Sequence, residues 1–200
     1  DIHYASDHDF VGIEFSIHGP LDGRVRVGMP GKFNADNALA ALAVCSLALS
    51  GGSGELDGNT KQAILSSLEN VRVDGRMEIA YVSKKCSVIV DYAHNAVSME
   101  SLLTTLRDYH PKRLVCVFGC GGNRAKDRRY SMGEIGGKMA DLCIITADNP
   151  RFEKNEDIIK DIQVGLAKTD GKYIVIPDRR EAIFSAIHNA EEGDMIAIIG

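Results

Sequence analysis

The stretch Leu142-Cys143-Ile144-Ile145-Thr146-Ala147-Asp148-Asn149-Pro150-Arg151 decides how this chain is read. Its first five residues make a short apolar run of the kind that a strand buried on both faces requires. The following residues break that strand. Pro150 fixes its own φ and pushes Asn149 out of the helical region, so Asp-Asn-Pro forms a turn. In an open α/β sheet the carboxyl ends of the strands border the ligand crevice. A turn there offers the Asp148 carboxylate, the Asn149 amide and the planar fork of Arg151, a set able to hold the polar ends of an amino acid. The same residues also suit an ordinary strand-to-loop turn with a solvated arginine. On this stretch alone both readings stand.

Outward from the turn, apolar runs at 78–82, 87–91, 113–118, 142–146, 173–176 and 194–199 alternate with helical patterns at 96–108, 128–139, 156–166 and 178–190. That alternation predicts an α/β fold, a mostly parallel Rossmann-like sheet with helices on both faces. Met132, Ile135 and Met139 form one helical stripe, and Ile158, Ile159, Ile162 and Leu166 another. Asp178 with Glu181 gives a capping-box-like helix start. Before residue 71 the pattern differs. Residues 9–17 and 24–29 read as a hairpin joined through Gly19-Pro20 and Gly23. Residues 34–50 read as a helix with Asn34 as N-cap and Gly51-Gly52 closing it, and 60–68 as a shorter helix. Residues 71–76 lack a period and read as a linker, which divides the chain into 1–73 and 74–200. Both ends read as cuts, because the strand that ends at Gly200 stops where a loop with ligand groups is expected.

Composition narrows the function. A formal charge of −5 argues against nonspecific nucleic-acid binding, which needs a basic face. No apolar run approaches the roughly 20 residues of a membrane span, and no secretory leader is visible. Cys45, Cys86, Cys116, Cys120 and Cys143 lie mostly in apolar runs, are odd in number and have no zinc-type spacing. Reduced thiols with no metal are expected.

Three further motifs carry chemistry. In Asn34-Ala35-Asp36-Asn37, two amides three residues apart share a helix face, where they can bond an adenine edge or simply cap and hydrate. In Val88-Ile89-Val90-Asp91-Tyr92-Ala93-His94, a strand delivers Asp91 to the crevice, where it can accept from ribose hydroxyls. Otherwise Asp91 is a turn residue and His94 a helix cap. In Phe118-Gly119-Cys120-Gly121-Gly122-Asn123-Arg124-Ala125-Lys126, glycines after a strand let backbone amides approach an anion. Arg124 stands where the dinucleotide fingerprint needs glycine, which counts against a dinucleotide-dependent oxidoreductase. Arg128 and Arg129 read as no more than a solvated basic loop.

Together with Asp74-Gly75-Arg76-Met77-Glu78, the order and wording of these motifs resemble the Mur ligases of peptidoglycan synthesis over nearly the whole chain. Asp148-Asn149-Pro150-Arg151 is similar to the turn by which the members adding meso-diaminopimelate recognise that amino acid; lysine-adding members usually carry another sequence there. The resemblance implies a cytoplasmic, monomeric, ATP- and Mg2+-dependent ligase that joins diaminopimelate to a UDP-linked muramoyl dipeptide. Residues 1–73 would be the tail of an ATPase-type central domain and 74–200 the Rossmann-like amino-acid-binding domain. Asn34, Asn37, Arg76, Asp91 and His94 would meet ATP. Arg124, Asp148, Asn149, Pro150, Arg151 and Gly200 would meet diaminopimelate, and Lys126 and Arg124 would serve catalysis. The family's Gly-Lys-Thr phosphate loop, carbamylated lysine, magnesium ligands, uridine-nucleotide domain and Lys-Gly-His-Glu run are missing. This chain alone is therefore expected to be inactive. An L-lysine-adding member, a folylpolyglutamate synthase and a non-catalytic nucleotide-binding module are the competing readings.

Overall fold

In the computed structural model, which describes residues 1–7 and 9–200, the chain divides into two compact units, Asp1–Val73 and Asp74–Gly200. In the first, strands β1 (Ile2–Ser6), β2 (Val11–Ile17) and β3 (Gly23–Val27) form an antiparallel sheet in that order. Ile13, Phe15, Val25 and Val27 face helices α1 (Phe33–Leu49) and α2 (Gly58–Ser67), where Ala35, Ala38, Leu42 and Leu65 close a small core. The hairpin at 9–17 and 24–29 is present, but β1 is an addition to it. Ile2 and Tyr4 alternate onto this core, too briefly to stand out as a period.

Asn34 is not the cap of α1. The cap position falls on Lys32, which makes no side-chain cap bond. Asn34 is buried; its amide donates to the Pro30 carbonyl at 2.7 Å and its Oδ1 accepts from Asn37 Nδ2 at 3.0 Å. The chain enters the helix through Pro30 and Gly31, so the amide reaches back to satisfy that turn instead of the first helical N–H groups.

The second unit is a six-stranded sheet in the order β4 (Glu78–Val82), β5 (Cys86–Asp91), β9 (Asp194–Ile199), β6 (Arg113–Phe118), β7 (Leu142–Ile145), β8 (Tyr173–Val175). Only β4 runs antiparallel. Crossovers are supplied by α3 (Ala96–Arg107), α4 (Asp127–Met139), α5 (Asn155–Leu166) and α6 (Arg179–His188). Ala182 and Ala186 of α6 cover Val88, Val117, Ile144 and Ile196 on one face. On the other, Met99 of α3 and Gly136 of α4 meet Phe118 and Cys143.

The stripe Met132, Ile135, Met139 is not the buried face of α4; Arg129, Met132, Gly133, Gly136 and Gly137 are. The glycines let α5 come against backbone. A Cβ on Gly133 would lie 2.1 Å from the Ile162 carbonyl oxygen, and one on Gly165 would lie 1.9 Å from that of Tyr130. At the amino end of the sheet, Arg113 grips Asp194, with Nη2 2.6 Å from Oδ2 and the Asp194 side chain only 1% exposed. At the carboxyl end the register pairs Asp91 and Phe118 with Ile199, and Phe118 with Ile145. Four strands thus end in one row, and their loops converge.

Candidate functional site

Those loops enclose a pocket of about 440 Å³ lined by Tyr92 and His94 after β5, by Gly119, Cys120, Gly121, Arg124 and Arg128 after β6, by Asp148, Asn149 and Arg151 after β7, and by Gly200 after β9. Arg124, Arg128 and Arg151 put three guanidinium groups around one carboxylate, one amide and one imidazole. Low-lying anionic groups of a small ligand suit such a wall.

Each loop has a local reason for its shape. The Asn149 side chain accepts from the Arg151 N–H at 3.2 Å, which turns the chain and holds Arg151 at φ 52°. Asp91 directs one oxygen to the Met77 N–H and the other to the Ala93 N–H, both at 2.8 Å. It therefore fixes the turn after β5 while keeping a free lone pair on each oxygen. His94 is not a helix cap. Asn95 caps α3 in a reciprocal box with Ser98, and the His94 Nδ1 lies 3.0 Å from the Tyr92 carbonyl oxygen. Arg76 stacks on Tyr92, its guanidinium carbon 4.5 Å from the ring centroid. Cys120 faces the pocket as an inert wall; burial pushes its thiol up to about 12.

Two of the glycines after β6, Gly119 and Gly122, also let this loop pack against the loop after β7. A Cβ on Gly119 would fall 2.4 Å from the Thr146 carbonyl oxygen, and one on Gly122 would fall 1.9 Å from that of Pro150. The Gly122 N–H donates to the Asn149 carbonyl at 2.9 Å, and the Asn123 N–H donates to Glu153. These amides zip the glycine loop to the Asp148–Arg151 turn.

Arg129 is not solvated. It is 1% exposed and forks onto Glu153, with Nη2 2.7 Å from Oε1 and Nη1 2.9 Å from Oε2, and its Nη1 also reaches Asp161 at 2.9 Å. The Arg129 guanidinium and the Asn123 N–H together hold the Glu153 carboxyl down at about 2. Arg179, also unsuspected from sequence, donates to the carbonyls of Ala147 at 3.4 Å and Ile199 at 3.2 Å, joining the ends of β7 and β9.

Among the sequence candidates, the pocket brings together His94, Arg124, Asp148, Asn149, Arg151 and Gly200. Pro150 supports it from behind through its carbonyl against Gly122. Lys126 stands outside the lining, 3.6 Å from Asp161. Asn34 and Asn37 belong to the other unit.

Residues 75–200 match the family model described as Mur ligase, glutamate ligase domain. The chain belongs to the Mur ligase family. One Mur ligase relative, the UDP-N-acetylmuramoyl-L-alanyl-D-glutamate–2,6-diaminopimelate ligase of Syntrophomonas wolfei, is 42% identical over 194 residues, which cover 96% of this chain and 38% of that protein. A solved structure of a ligase of the same name superposes with a TM-score of 0.68 at 30% identity, over 98% of this chain and 39% of that one. A folylpolyglutamate synthase from Thermotoga maritima superposes with a TM-score of 0.67 at 23% identity, over 98% of this chain and 42% of that one, which shows the fold alone. The chain thus spans about two fifths of the length of these Mur ligase relatives.

Proposed function

We propose that this chain is part of an ATP-dependent ligase that adds meso-diaminopimelate to UDP-N-acetylmuramoyl-L-alanyl-D-glutamate in peptidoglycan precursor synthesis. The observation that carries the reading is the pocket in which Arg124, Arg128 and Arg151 surround Asp148 and Asn149. Diaminopimelate carries two carboxylates and two ammonium groups, so it needs cationic forks and an anionic partner in one place. L-Lysine lacks the second carboxylate and would leave a guanidinium unpaired. The amine of diaminopimelate attacks an acyl phosphate of the D-glutamate side-chain carboxyl, forms the amide and expels phosphate. Arg124 offers charge where the oxyanion develops. Lys126 is 63% exposed and held by one 3.6 Å contact, too weak to prevent its joining Arg124.

For ATP, within the second unit the free lone pairs of Asp91 suit ribose hydroxyls and Arg76, stacked on Tyr92, suits a phosphate, with the His94 ring 5.0 Å from that of Tyr92. Within the first unit the exposed Asn37, held by the buried Asn34, suits a purine edge. Bound ATP would supply the phosphoryl group that activates the carboxylate. Such a ligase would also use Mg2+, and among the described residues no group of three His, Cys, Asp or Glu could hold it. Residues 1–73 are then the end of the ATP-binding domain and 74–200 the amino-acid-binding domain. Among the described residues no helix is long and apolar enough to cross a membrane; a cytoplasmic location and a monomeric state belong to the same proposal.

The test is amino-acid-dependent ADP release by the full-length protein with the muramoyl dipeptide acceptor. Diaminopimelate is expected to support turnover at a kcat/KM at least ~100-fold above that with L-lysine. Equal use of the two diamines would overturn the assignment.

A further inference from the structure

We infer that Arg129 is a positioning residue that sets the spacing between the two cation-bearing loops of the pocket, and so the affinity for the amino acid. The inference rests on the amino-acid reading of that pocket. Arg124 lies on one loop and Arg151 on the other. A doubly acidic ligand can engage both only if the loops keep a fixed separation. Each cation adjoins a fastened residue. Arg124 follows Asn123, whose N–H donates to Glu153, and Arg151 precedes Phe152, whose N–H donates to Asn123 Oδ1 at 3.1 Å. Asn123 is thus clasped from both Phe152 and Glu153 of the opposite loop, and Arg129 holds Glu153 with two parallel N–H bonds from a buried position in α4.

The backbone supports this role. Asn123 and Arg151 both adopt φ 52°, a left-handed conformation that residues with a Cβ seldom take. Such conformations persist when their surroundings over-determine them, and here the surroundings are the Glu153 clasp and the Asn149 turn. Stability alone is a weak motive for the arrangement. A buried ion pair often contributes no more than an apolar replacement would. Arg129 moreover keeps its Nε buried without a hydrogen-bond partner. What the guanidinium offers that an apolar side chain lacks is a planar fork that reaches Glu153 after β7 and Asp161 on α5 at once.

The experiment uses the full-length protein and its Arg129→Lys and Glu153→Gln variants. Steady-state kinetics are measured for diaminopimelate, L-lysine and ATP, with circular dichroism as the folding check. Lysine keeps the charge but cannot span two carboxylates. Its KM for diaminopimelate is expected to rise about tenfold or more, since misplacement by ~1 Å can cost 10²-fold. The KM for ATP and the kcat at saturating amino acid should stay within about twofold. Glu153→Gln keeps the side-chain shape and the Asn123 acceptor, so it carries the same test if Arg129→Lys does not fold. An unchanged diaminopimelate KM, or equal rises in both KM values, would overturn the positioning role while leaving the ligase reading intact. Failure of the unmodified protein to use diaminopimelate would instead overturn that reading and this inference with it.

Discussion

Gly122 lies so close to Pro150 that a Cβ built on it would sit 1.9 Å from the Pro150 carbonyl oxygen. The glycine loop after β6 is shaped by its neighbour after β7, and the two behave as one wall. Gly122→Ala must push that wall apart, at a cost of about 1–3 kcal/mol for overpacking against backbone. We expect a Tm lower by roughly 2–10 °C in differential scanning calorimetry, together with weaker amino-acid binding. A variant with unchanged Tm and unchanged amino-acid KM would show that the loops do not move as a unit.

Arg151 projects from the turn into the pocket and is itself exposed, so its removal touches little of the fold. Arg151→Ala in the full-length protein is expected to weaken diaminopimelate by about 1–3 kcal/mol, or roughly 5- to 150-fold. The KM for ATP should hold within twofold. Parallel rises in the two constants would remove the recognition role of this turn.

Glu153 carries a pH signature. Its folded carboxyl is held at about 2 by Arg129 and the Asn123 N–H, below its ordinary value of 4.5. A depressed carboxyl contributes stability that is complete above the unfolded value and is lost as pH falls through the folded one. The contribution should therefore fade between about pH 4.5 and pH 2. Urea unfolding across that window should show a steeper acid loss in the unmodified protein than in Glu153→Gln. Identical slopes would mean that the carboxyl is not paired in solution.

The opposite end of the sheet should behave differently. Arg113→Met leaves Asp194, 1% exposed, without its partner across β6 and β9. Removing one member of a buried pair costs about 3–5 kcal/mol. A fall in Tm on the order of 10 °C is expected, with both KM values unchanged in whatever fraction folds. A changed amino-acid KM would deny the division of labour between the two ends.

Much of the second unit was legible because its strands are apolar runs bounded by turn residues. The Asp148–Arg151 turn, Arg124, His94 and Gly200 meet in the pocket because parallel strands align their carboxyl ends. Less was legible where a residue's partner is remote in sequence. Arg129 finds Glu153 and Asp161, 24 and 32 residues away, and Arg128 reaches the pocket, so nothing near either arginine in the sequence marked them as more than a solvated basic loop. The buried face of α4 escaped the hydrophobic pattern because three of its members are glycines, which mark backbone contact instead of side-chain burial. Asn34 was read as a cap because its residue type suits one; the preceding Pro30 carbonyl claimed its amide.

The flanks of the six-stranded sheet also have a bearing on how the protein behaves when concentrated. β8 offers only Tyr173–Val175, and β4 breaks its register between Ile79 and Tyr81. A foreign strand would find three rungs on one side and a distorted ladder on the other. Neither flank is a good template for fibril growth, although Tyr173, Ile174 and Val175 are apolar and face solvent.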